Sequence, residues 1–233
     1  MMPDIKLHRQ DAMKLLDSLA DESVDLIVTD PPYSGMNRHL SLGKGRIVGD
    51  YAKRGSEDGD WFAEWEDTPE QYEAFLYECS RVMKPDTCVW LMFDPYSLLT
   101  LGPLVRMVFN VKNIVTWDKV AMGMGHYLRR RSEFIVLAQK GKRRLTNRGT
   151  PDVWAIKRVH RPQYPTQKPV ELFERMIELS IPEEDREGSV VLDPFMGSGA
   201  SAVAAQKLDC GYIGADISSK AVTMSSMRIA NGA

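Results

Sequence analysis

The sequence predicts an α/β protein with a mostly parallel sheet and helices on both of its faces. Short apolar runs rich in β-branched residues, such as 24–28, alternate along the chain with helical patterns. The run at 87–93 is apolar at successive positions, which is typical of a central parallel strand covered on both sides. Near the end of the chain, strand 190–192, a glycine turn, helix 200–208 and strand 212–215 form a βαβ unit.

The remaining elements follow from local patterns. Residues 5–8 form an alternating strand, and Asp11 stands at the head of an amphipathic helix, where an Asp is commonly the N-cap. Residues 68–71, Thr-Pro-Glu-Gln, form a capping box with proline at the first helical position, so a helix begins there and ends near 83. Further elements are a helix at 96–110, strands at 111–117 and 133–139, a helix at 170–179 that opens at Pro169, and a closing helix after Asp216.

Length and composition predict a single domain, residues 1–233. With 43% hydrophobic and 27% charged residues, the 233-residue chain can bury a full α/β core. No apolar run approaches the roughly eighteen residues that cross a membrane, and the first ten residues lack a signal-peptide core, so a cytoplasmic protein is expected. Cys79, Cys88 and Cys210 are far apart, which favours buried thiols over a zinc site or a disulfide, and no metal is expected.

The net charge of −2 hides a strong asymmetry. Residues 119–168 contain thirteen Lys and Arg but only two acids, Glu133 and Asp152. A segregated basic segment on an otherwise acidic protein is typical of a phosphate-backbone binder, with a solvated charged surface as the alternative. The charge therefore favours a nucleic-acid partner.

Two segments with cations and little periodicity are interpreted as loop insertions that form a minimal target-recognition region. The first, 34–60, contains six glycines and five cations and is a candidate lid over the substrate. The second, 141–161, contains Trp154, which we expect to belong to a recognition loop rather than to the core.

The motif Asp30-Pro31-Pro32-Tyr33, hereafter the DPPY motif, directly follows strand 24–29. Open α/β sheets hold their ligands at the carboxyl ends of strands. Prolines fix their own φ and have no N–H, so this motif offers two acceptors, the Asp30 carboxylate and the Pro31 carbonyl, beside an aromatic ring. Such a combination suits a planar amino group that donates two hydrogens. An ordinary strand-ending Asp-Pro turn is the alternative.

A second motif, DPFMGSG at 193–199, joins strand and helix in the βαβ unit. Asp216 ends the following strand, where an acid can bind ribose hydroxyls. Residues 197–202 also match the dinucleotide pattern G-x-G-x-x-A, so on this pattern alone NAD is an alternative ligand of the turn. Asp193 favours a different ligand, because an acid before the turn repels a pyrophosphate and attracts an ammonium group such as that of S-adenosylmethionine.

A third motif, YPTQKP at 164–169, precedes the helix that opens at Pro169. Thr166 and Lys168 can bind a carboxylate there, because the positive end of a helix dipole also favours an anion. Together with Asp193, these residues suit the amino-acid part of S-adenosylmethionine.

The motifs DPPY, YPTQKP, DPFMGSG and GADIS, in this order, resemble those of the permuted β-class DNA amino methyltransferases. The resemblance spans nearly the whole chain, from Asp11 to Asp216. It implies a Rossmann-like, S-adenosylmethionine-dependent methyltransferase fold with a mostly parallel seven-stranded sheet and a circularly permuted motif order. It also implies methylation of an exocyclic amino group in double-stranded DNA by a bacterial or phage enzyme of the restriction-modification type.

The resemblance assigns roles to individual residues. Catalysis and target-base binding are assigned to Asp30, Pro31, Pro32 and Tyr33. Cofactor binding is assigned to Asp11, Asp30, Thr166, Lys168, Asp193, Phe195, Gly197, Ser198, Gly199, Asp216 and Ile217. Independently, the charge pattern predicts DNA contacts by Arg38, Lys44, Arg46, Arg129, Arg130, Arg131, Lys142, Arg143, Arg144, Arg148 and Arg158.

Several alternatives remain at this point. In the family that the chain resembles, Asp at the first position of the DPPY motif favours N6 of adenine over N4 of cytosine. The lack of a long recognition domain predicts a short or relaxed target sequence, and the target base is expected to be flipped out. Methylation of RNA or of a protein amide, an NAD-dependent oxidoreductase and a non-catalytic DNA-binding module are the other interpretations. The oligomeric state is open, with a homodimer as one option.

Overall fold

The computed structural model describes residues 3–32, 68–123, 127–160, 162, 164 and 167–231. The strands in this part of the chain are β1 (Ile5–Arg9), β2 (Val24–Thr29), β3 (Met83–Phe93), β4 (Asn110–Asp118), β5 (Ser132–Lys140), β6 (Val153–Ala155), β7 (Val190–Asp193) and β8 (Gly211–Asp216). The helices are α1 (Ala12–Ser18), α2 (Pro69–Val82), α3 (Pro95–Val108), α4 (Val170–Ser180), α5 (Ala200–Lys207) and α6 (Ser219–Ala230).

The described strands form one sheet in the order β1-β8-β7-β2-β3-β5-β4-β6. Pairing is parallel from β1 to β3 and between β4 and β6, whereas β5 runs antiparallel to β3 and β4. The mostly parallel α/β sheet predicted from the sequence is confirmed.

Each face of the sheet is covered by its own hydrophobic core. Along β3, Cys88, Trp90 and Met92 pack into one core with α4 and α5, whereas Val89, Leu91 and Phe93 pack into the other with α1, α2 and α3. This alternation explains the continuous apolar run at 87–93, because both sides of the strand are buried.

The parallel strands β1, β8, β7, β2 and β3 end at the same side of the sheet, which we call the carboxyl edge. Register pairs such as Arg9 with Asp216 and Thr29 with Leu91 define it. Since β5 is antiparallel, its first residues lie at the carboxyl edge, while Lys140 pairs with Thr87 at the opposite side, the amino edge. Across its nine residues, β5 separates the two edges by about 27 Å.

The structure corrects the sequence interpretation of residues 141–161. Val153–Ala155 forms β6, so the sheet has eight described strands instead of the seven expected. Trp154 is 1% exposed, packs on Trp90 with ring centroids 5.6 Å apart, and donates its indole N–H to the Pro151 carbonyl. A three-residue strand is too short to show periodicity, so the sequence pattern does not predict this core element.

Other local expectations are met. Asp11 caps α1 by accepting from the backbone N–H groups of Met13 and Lys14, and Thr68 caps α2 by accepting from Gln71. The three cysteines are buried and carry free thiols. In the described part of the chain, no helix is long and apolar enough to cross a membrane.

Candidate active site

The site lies at the point where the chain order along the sheet reverses, between β7 and β2. Open α/β sheets form a crevice at such a switch point. Asp193 ends β7, and Asp30 directly follows β2. Between them, Thr29 Oγ1 donates to Asp193 Oδ1 at 2.8 Å in a fully buried contact. The first acid of the DPPY motif and the first acid of the DPFMGSG motif are therefore presented side by side.

Asp30 is half-buried, with Pro31 buried and Pro32 half-buried beside it. Lys168 of the YPTQKP motif forms an ion pair with Asp30, its Nζ donating to Asp30 Oδ2. The sequence assigned Lys168 to a cofactor carboxylate, and the structure joins it to the DPPY motif. The two motifs, which are 138 residues apart in the chain, thus meet through their charged side chains.

Lys168 lies between two carboxylates. In addition to its pairing with Asp30, its Nζ is 3.6 Å from Glu133 Oε2, and Glu133 Oε1 is 3.0 Å from Lys119 Nζ. Burial opposes the charged form of Lys168, but Asp30 and Glu133 hold the pKa of its ammonium above the ordinary value. Burial also opposes ionisation of Glu133, but Lys168 and Lys119 hold the pKa of its carboxyl below the ordinary value. Lys168 and Glu133 are therefore both charged at neutral pH.

Asp193 is 2% exposed and organises the start of the glycine turn. Its Oδ1 accepts from Thr29 and from the backbone N–H of Phe195, and its Oδ2 accepts from Ser201 Oγ at 2.5 Å. Burial raises the pKa of Asp193 to about 7, although the hydrogen bonds from Ser201 and Thr29 oppose this rise. The carboxyl thus titrates near neutral pH within a buried polar cluster.

The glycine turn packs closely against α6. Gly199 has φ of 74°, and a Cβ at this position would lie 2.6 Å from Ser225 Oγ. Ser225 Oγ donates to the Gly197 carbonyl, and Arg228 donates to the Ser198 carbonyl at 2.8 Å. Both the left-handed backbone and the close approach of α6 require glycine at 199.

Asp216 lies at the end of β8, one strand away from Asp193. Its Oδ2 accepts from the Gly197 backbone N–H at 3.2 Å, and its Oδ1 accepts from the Ser218 N–H at 2.8 Å. The ring of Tyr164 lies beside the same turn, since a Cβ at Gly197 would be 3.4 Å from Tyr164 Cε1. Burial raises the pKa of Tyr164, and the negative charge of Asp216 adds to this effect. The YPTQKP motif therefore contacts the glycine turn as well as the DPPY motif.

The other predicted cofactor residues surround this turn. Phe195 packs against Phe75 of α2 with ring centroids 5.5 Å apart. The Ile217 carbonyl accepts from Arg9, and Asp11 follows β1, the strand that pairs with β8. Asp11, Asp193, Asp216 and Asp30 thus follow or end four adjacent strands at the carboxyl edge.

Most of the predicted DNA-binding cations that the structure describes lie at one or the other edge of the sheet. Arg129, Arg130 and Arg131 precede β5 at the carboxyl edge, and Arg158 follows β6 there, its N–H donating to the Lys119 carbonyl at 3.3 Å. Arg131 forms a bidentate ion pair with Asp118, and Arg130 lies over the Tyr96 ring.

Lys142, Arg143 and Arg144 follow β5 at the amino edge, about 27 Å from the first group by the length of that strand. The Lys142 N–H donates to Asp86, and Arg143 lies 3.8 Å from Asp185. Arg148 lies on the exposed segment between this edge and β6. The described cations therefore do not form the single basic face that the charge count suggested, because an antiparallel strand separates neighbours in sequence.

Some predicted site residues lie outside the described part of the chain. They are Tyr33, Arg38, Lys44, Arg46 and Thr166, together with the whole candidate lid at 34–60. Among the described residues, no group of His, Cys, Asp and Glu is arranged to hold a metal ion.

Sequence reasoning missed several residues that shape the site. Thr29 and Ser201 bind Asp193, and Ser225 and Arg228 brace the glycine turn, but hydroxyl residues and one arginine carry no recognisable spacing. Glu133 offered a clearer signal. It is one of two acids among thirteen cations in residues 119–168, and an acid in such a segment is expected to form ion pairs.

The eight-stranded sheet with its switch-point crevice has the architecture of a Rossmann-like methyltransferase domain. Solved structures share it, including the following two. PvuII DNA methyltransferase (cytosine-N4-specific) superposes with a TM-score of 0.73 at 16% identity, covering 98% of this chain and 87% of that one. M1.HpyAVI, solved in complex with S-adenosylmethionine, superposes with a TM-score of 0.66 at 19% identity, covering 96% and 99% of the two chains.

Sequence comparison narrows this class to one family. A model described as DNA methylase, for N6 and N4 methyltransferases, matches residues 24–227. The type II methyltransferase M.HpaI of Haemophilus parainfluenzae is 31% identical, over 97% of this chain and 74% of its own length. The type II methyltransferase M2.DpnII of Streptococcus pneumoniae is 29% identical, over 90% and 84% of the two chains. The chain belongs to this DNA methylase family of S-adenosylmethionine-dependent amino methyltransferases.

Proposed function

We propose that this DNA methyltransferase transfers a methyl group from S-adenosylmethionine to the N6 amino group of adenine in double-stranded DNA. The observation that carries the proposal is the position of Asp30. It lies at the switch point, one strand away from the glycine turn at 193–199, and the next residue, Pro31, is buried. An amino group bound at the DPPY motif would therefore lie beside a ligand held by the turn.

The residues around the turn fit S-adenosylmethionine. Asp216 ends β8 where a ribose can be bound, and Asp193 provides a negative centre beneath the turn for an ammonium group. Because Asp193 is buried and its oxygens already accept from neighbours, we assign it to shaping the turn as well as to attracting that ammonium. Lys168 and Thr166 are proposed partners of the carboxylate, and Asp11, Phe195, Ser198 and Ile217 line the remaining surface. When bound, the cofactor supplies a methyl group activated by its sulfonium.

The DPPY motif acts on the amino group. The lone pair of an exocyclic amine is delocalised into the base ring, so the nitrogen is a weak nucleophile. Hydrogen bonds from the two amino hydrogens to the Asp30 carboxylate and the Pro31 carbonyl favour a pyramidal nitrogen and stabilise the positive charge that develops on it. Asp30 then accepts the proton that the methylated nitrogen releases. The rest of the protein contributes in-line positioning and exclusion of water.

A base within a duplex is out of reach of this crevice, so the target adenine is proposed to flip out and stack on Tyr33. The cost of unstacking is a few kcal/mol, and pocket contacts offset it. A short or relaxed target sequence remains part of the proposal.

DNA is proposed to cross the carboxyl edge. Arg129, Arg130 and Arg158 lie on the same edge as Asp30, whereas Lys142, Arg143 and Arg144 lie on the amino edge near acidic residues. The exposed side chains of Tyr127 and Leu128 lie next to the first group, and apolar wedges of this kind enter base steps in other complexes. We therefore assign the duplex to the first group and revise the role of the second.

The choice of adenine rests on Asp30, because Asp at this position favours adenine in the family. Incubation with unmethylated plasmid DNA and S-adenosylmethionine, followed by nucleoside mass spectrometry, tests it. N6-methyladenine is the expected product. N4-methylcytosine would assign the enzyme to the other branch of the family, and absence of both modified bases on diverse DNA would overturn the proposal.

A further inference from the structure

Glu133 is an acid that the proposed reaction does not use, yet it is linked to the reaction centre through one side chain. Its Oε2 is 3.6 Å from Lys168 Nζ, and Lys168 Nζ in turn donates to Asp30 Oδ2. The Lys168 side chain is only 12% exposed and Glu133 is 25% exposed, so water screens these charges less than it does at the surface.

Glu133 is itself held rigidly. It lies at the start of β5, where it pairs in register with Trp117 of β4, and its Oε1 is 3.0 Å from Lys119 Nζ. The Lys119 backbone N–H donates to the Arg131 carbonyl at 2.9 Å, which extends the pairing of β4 with β5 by one hydrogen bond. By contrast, Lys168 is a long side chain with four rotatable bonds on the segment before α4. The sheet therefore offers Lys168 a fixed anchor.

We propose that Glu133 is a positioning residue that holds Lys168 against Asp30 and so fixes the orientation of the Asp30 carboxylate. Because Lys168 binds Oδ2, rotation of the carboxylate about its Cβ–Cγ bond is restricted, which directs Asp30 toward the amino group. The inference rests on the proposed role of Asp30 and goes beyond it by giving Glu133 and Lys168 a part in methyl transfer. A purely structural role for Glu133, limited to its ion pair with Lys119, is the competing explanation.

Four variants separate these explanations: Glu133→Gln, Lys168→Met, the double variant, and Glu171→Gln as control. Glu171 lies on α4 and forms an exposed ion pair with Arg175 at 3.5 Å, so the control removes the same charge close by. In Glu133→Gln, kcat should fall about tenfold to hundredfold, as expected for a misplaced catalytic group, while KM for DNA changes little. In the Lys168→Met background, the Glu133 substitution should cause no further loss, because its effect passes through Lys168. Glu171→Gln should match wild type.

A second measurement does not depend on activity. Asp30 and Glu133 are the carboxylates that hold the Lys168 ammonium, so Glu133→Gln should change the chemical shift of Lys168 Nζ and speed the exchange of its ammonium protons with water in heteronuclear NMR spectra. Circular dichroism checks that each variant is folded. If wild type transferred no methyl group, the proposed function would fail while the NMR comparison still tested the ion-pair chain.

Three results would overturn the inference. They are a wild-type kcat in Glu133→Gln, a loss of kcat from the Glu133 substitution that is equally large in the Lys168→Met background, and unchanged NMR signals and proton exchange of the Lys168 ammonium. Recovery of most of the lost kcat in Glu133→Asp would support it, because the shorter acid retains the charge that Lys168 needs.

Discussion

Thr29 and Asp193 are joined by a buried hydrogen bond of 2.8 Å between residues 164 positions apart in the chain. Thr29 immediately precedes Asp30, and Asp193 begins the glycine turn, so this bond joins the strand before the DPPY motif to the strand before the glycine turn. It adds a side-chain contact to the backbone pairing of β2 with β7, next to both motifs.

Replacing Thr29 by valine should weaken this junction with little change in volume. Hydrogen bonds to charged groups contribute about 1.5–3 kcal/mol, so the free energy of unfolding should fall by about that amount in urea titrations at pH 8. Thr100→Val is the control, since the Thr100 hydroxyl bonds a backbone carbonyl of α3 at an exposed position. Equal losses in both variants would contradict a special role for the buried bond.

The raised pKa of Asp193 predicts a pH dependence of stability. In the unfolded chain this carboxyl releases its proton near pH 4, whereas in the folded protein its pKa is about 7. Between these values the folded state binds more protons than the unfolded state, so the contribution of Asp193 to stability falls as pH rises and levels off above about 7.

The Asp193→Asn variant should lack this decline. From pH 5 to pH 8, the free energy of unfolding should therefore decrease more in the wild type than in Asp193→Asn. The other titrating groups are the same in both proteins, so they do not contribute to this difference. Parallel pH dependence of the two proteins would show that Asp193 titrates normally.

A side chain added at Gly199 should clash with α6, and this steric effect can be measured separately from backbone strain. In Gly199→Ala, a left-handed φ is combined with a Cβ 2.6 Å from Ser225 Oγ, so cofactor affinity and stability should both drop strongly. Gly188→Ala is the matched control, because Gly188 has φ of 90° and a Cβ added there would meet no atom within 4 Å. It should lose only the strain of about 1–2 kcal/mol.

Isothermal titration with S-adenosylmethionine and denaturant unfolding measure both effects. If Gly188→Ala and Gly199→Ala lost equal stability and bound the cofactor equally well, the close contact between the turn and α6 would contribute to neither stability nor cofactor affinity.

The division of cations predicts opposite outcomes for two double variants. Arg129→Ala with Arg158→Ala, at the carboxyl edge, should weaken DNA binding and reduce the slope of log K against log salt by roughly one unit per lost phosphate contact. Arg143→Ala with Arg144→Ala, at the amino edge, should leave the slope near wild type. Fluorescence anisotropy with a duplex at several salt concentrations measures both, and a reversed order would place the DNA on the amino edge.

Most of the fold was predictable because each strand and helix carries a local pattern. The caps at Asp11 and Thr68, the buried runs and the glycine turn all follow from residues close in sequence. The short strand β6 was not predicted, since three residues give no periodicity, and both its pairing with β4 and the packing of Trp154 on Trp90 join residues distant in sequence.

The site was less predictable where it depends on contacts distant in sequence. Asp30, Asp193 and Asp216 could be singled out from their motifs, but the pairing of Lys168 with both Asp30 and Glu133 depends on how β2, β5 and the segment before α4 meet. Likewise, Arg131 and Lys142 are close in sequence, yet the antiparallel β5 carries them to opposite edges.

Methyl transfer by Asp30→Asn tests the central claim most directly. The substitution keeps the shape of the side chain but removes the negative charge that is proposed to accept the proton. Incorporation of labelled methyl groups into plasmid DNA should be abolished, while S-adenosylmethionine binding, measured by titration calorimetry, stays within a few-fold of wild type. Turnover near the wild-type rate in Asp30→Asn would contradict the assignment of the DPPY motif as the reaction centre.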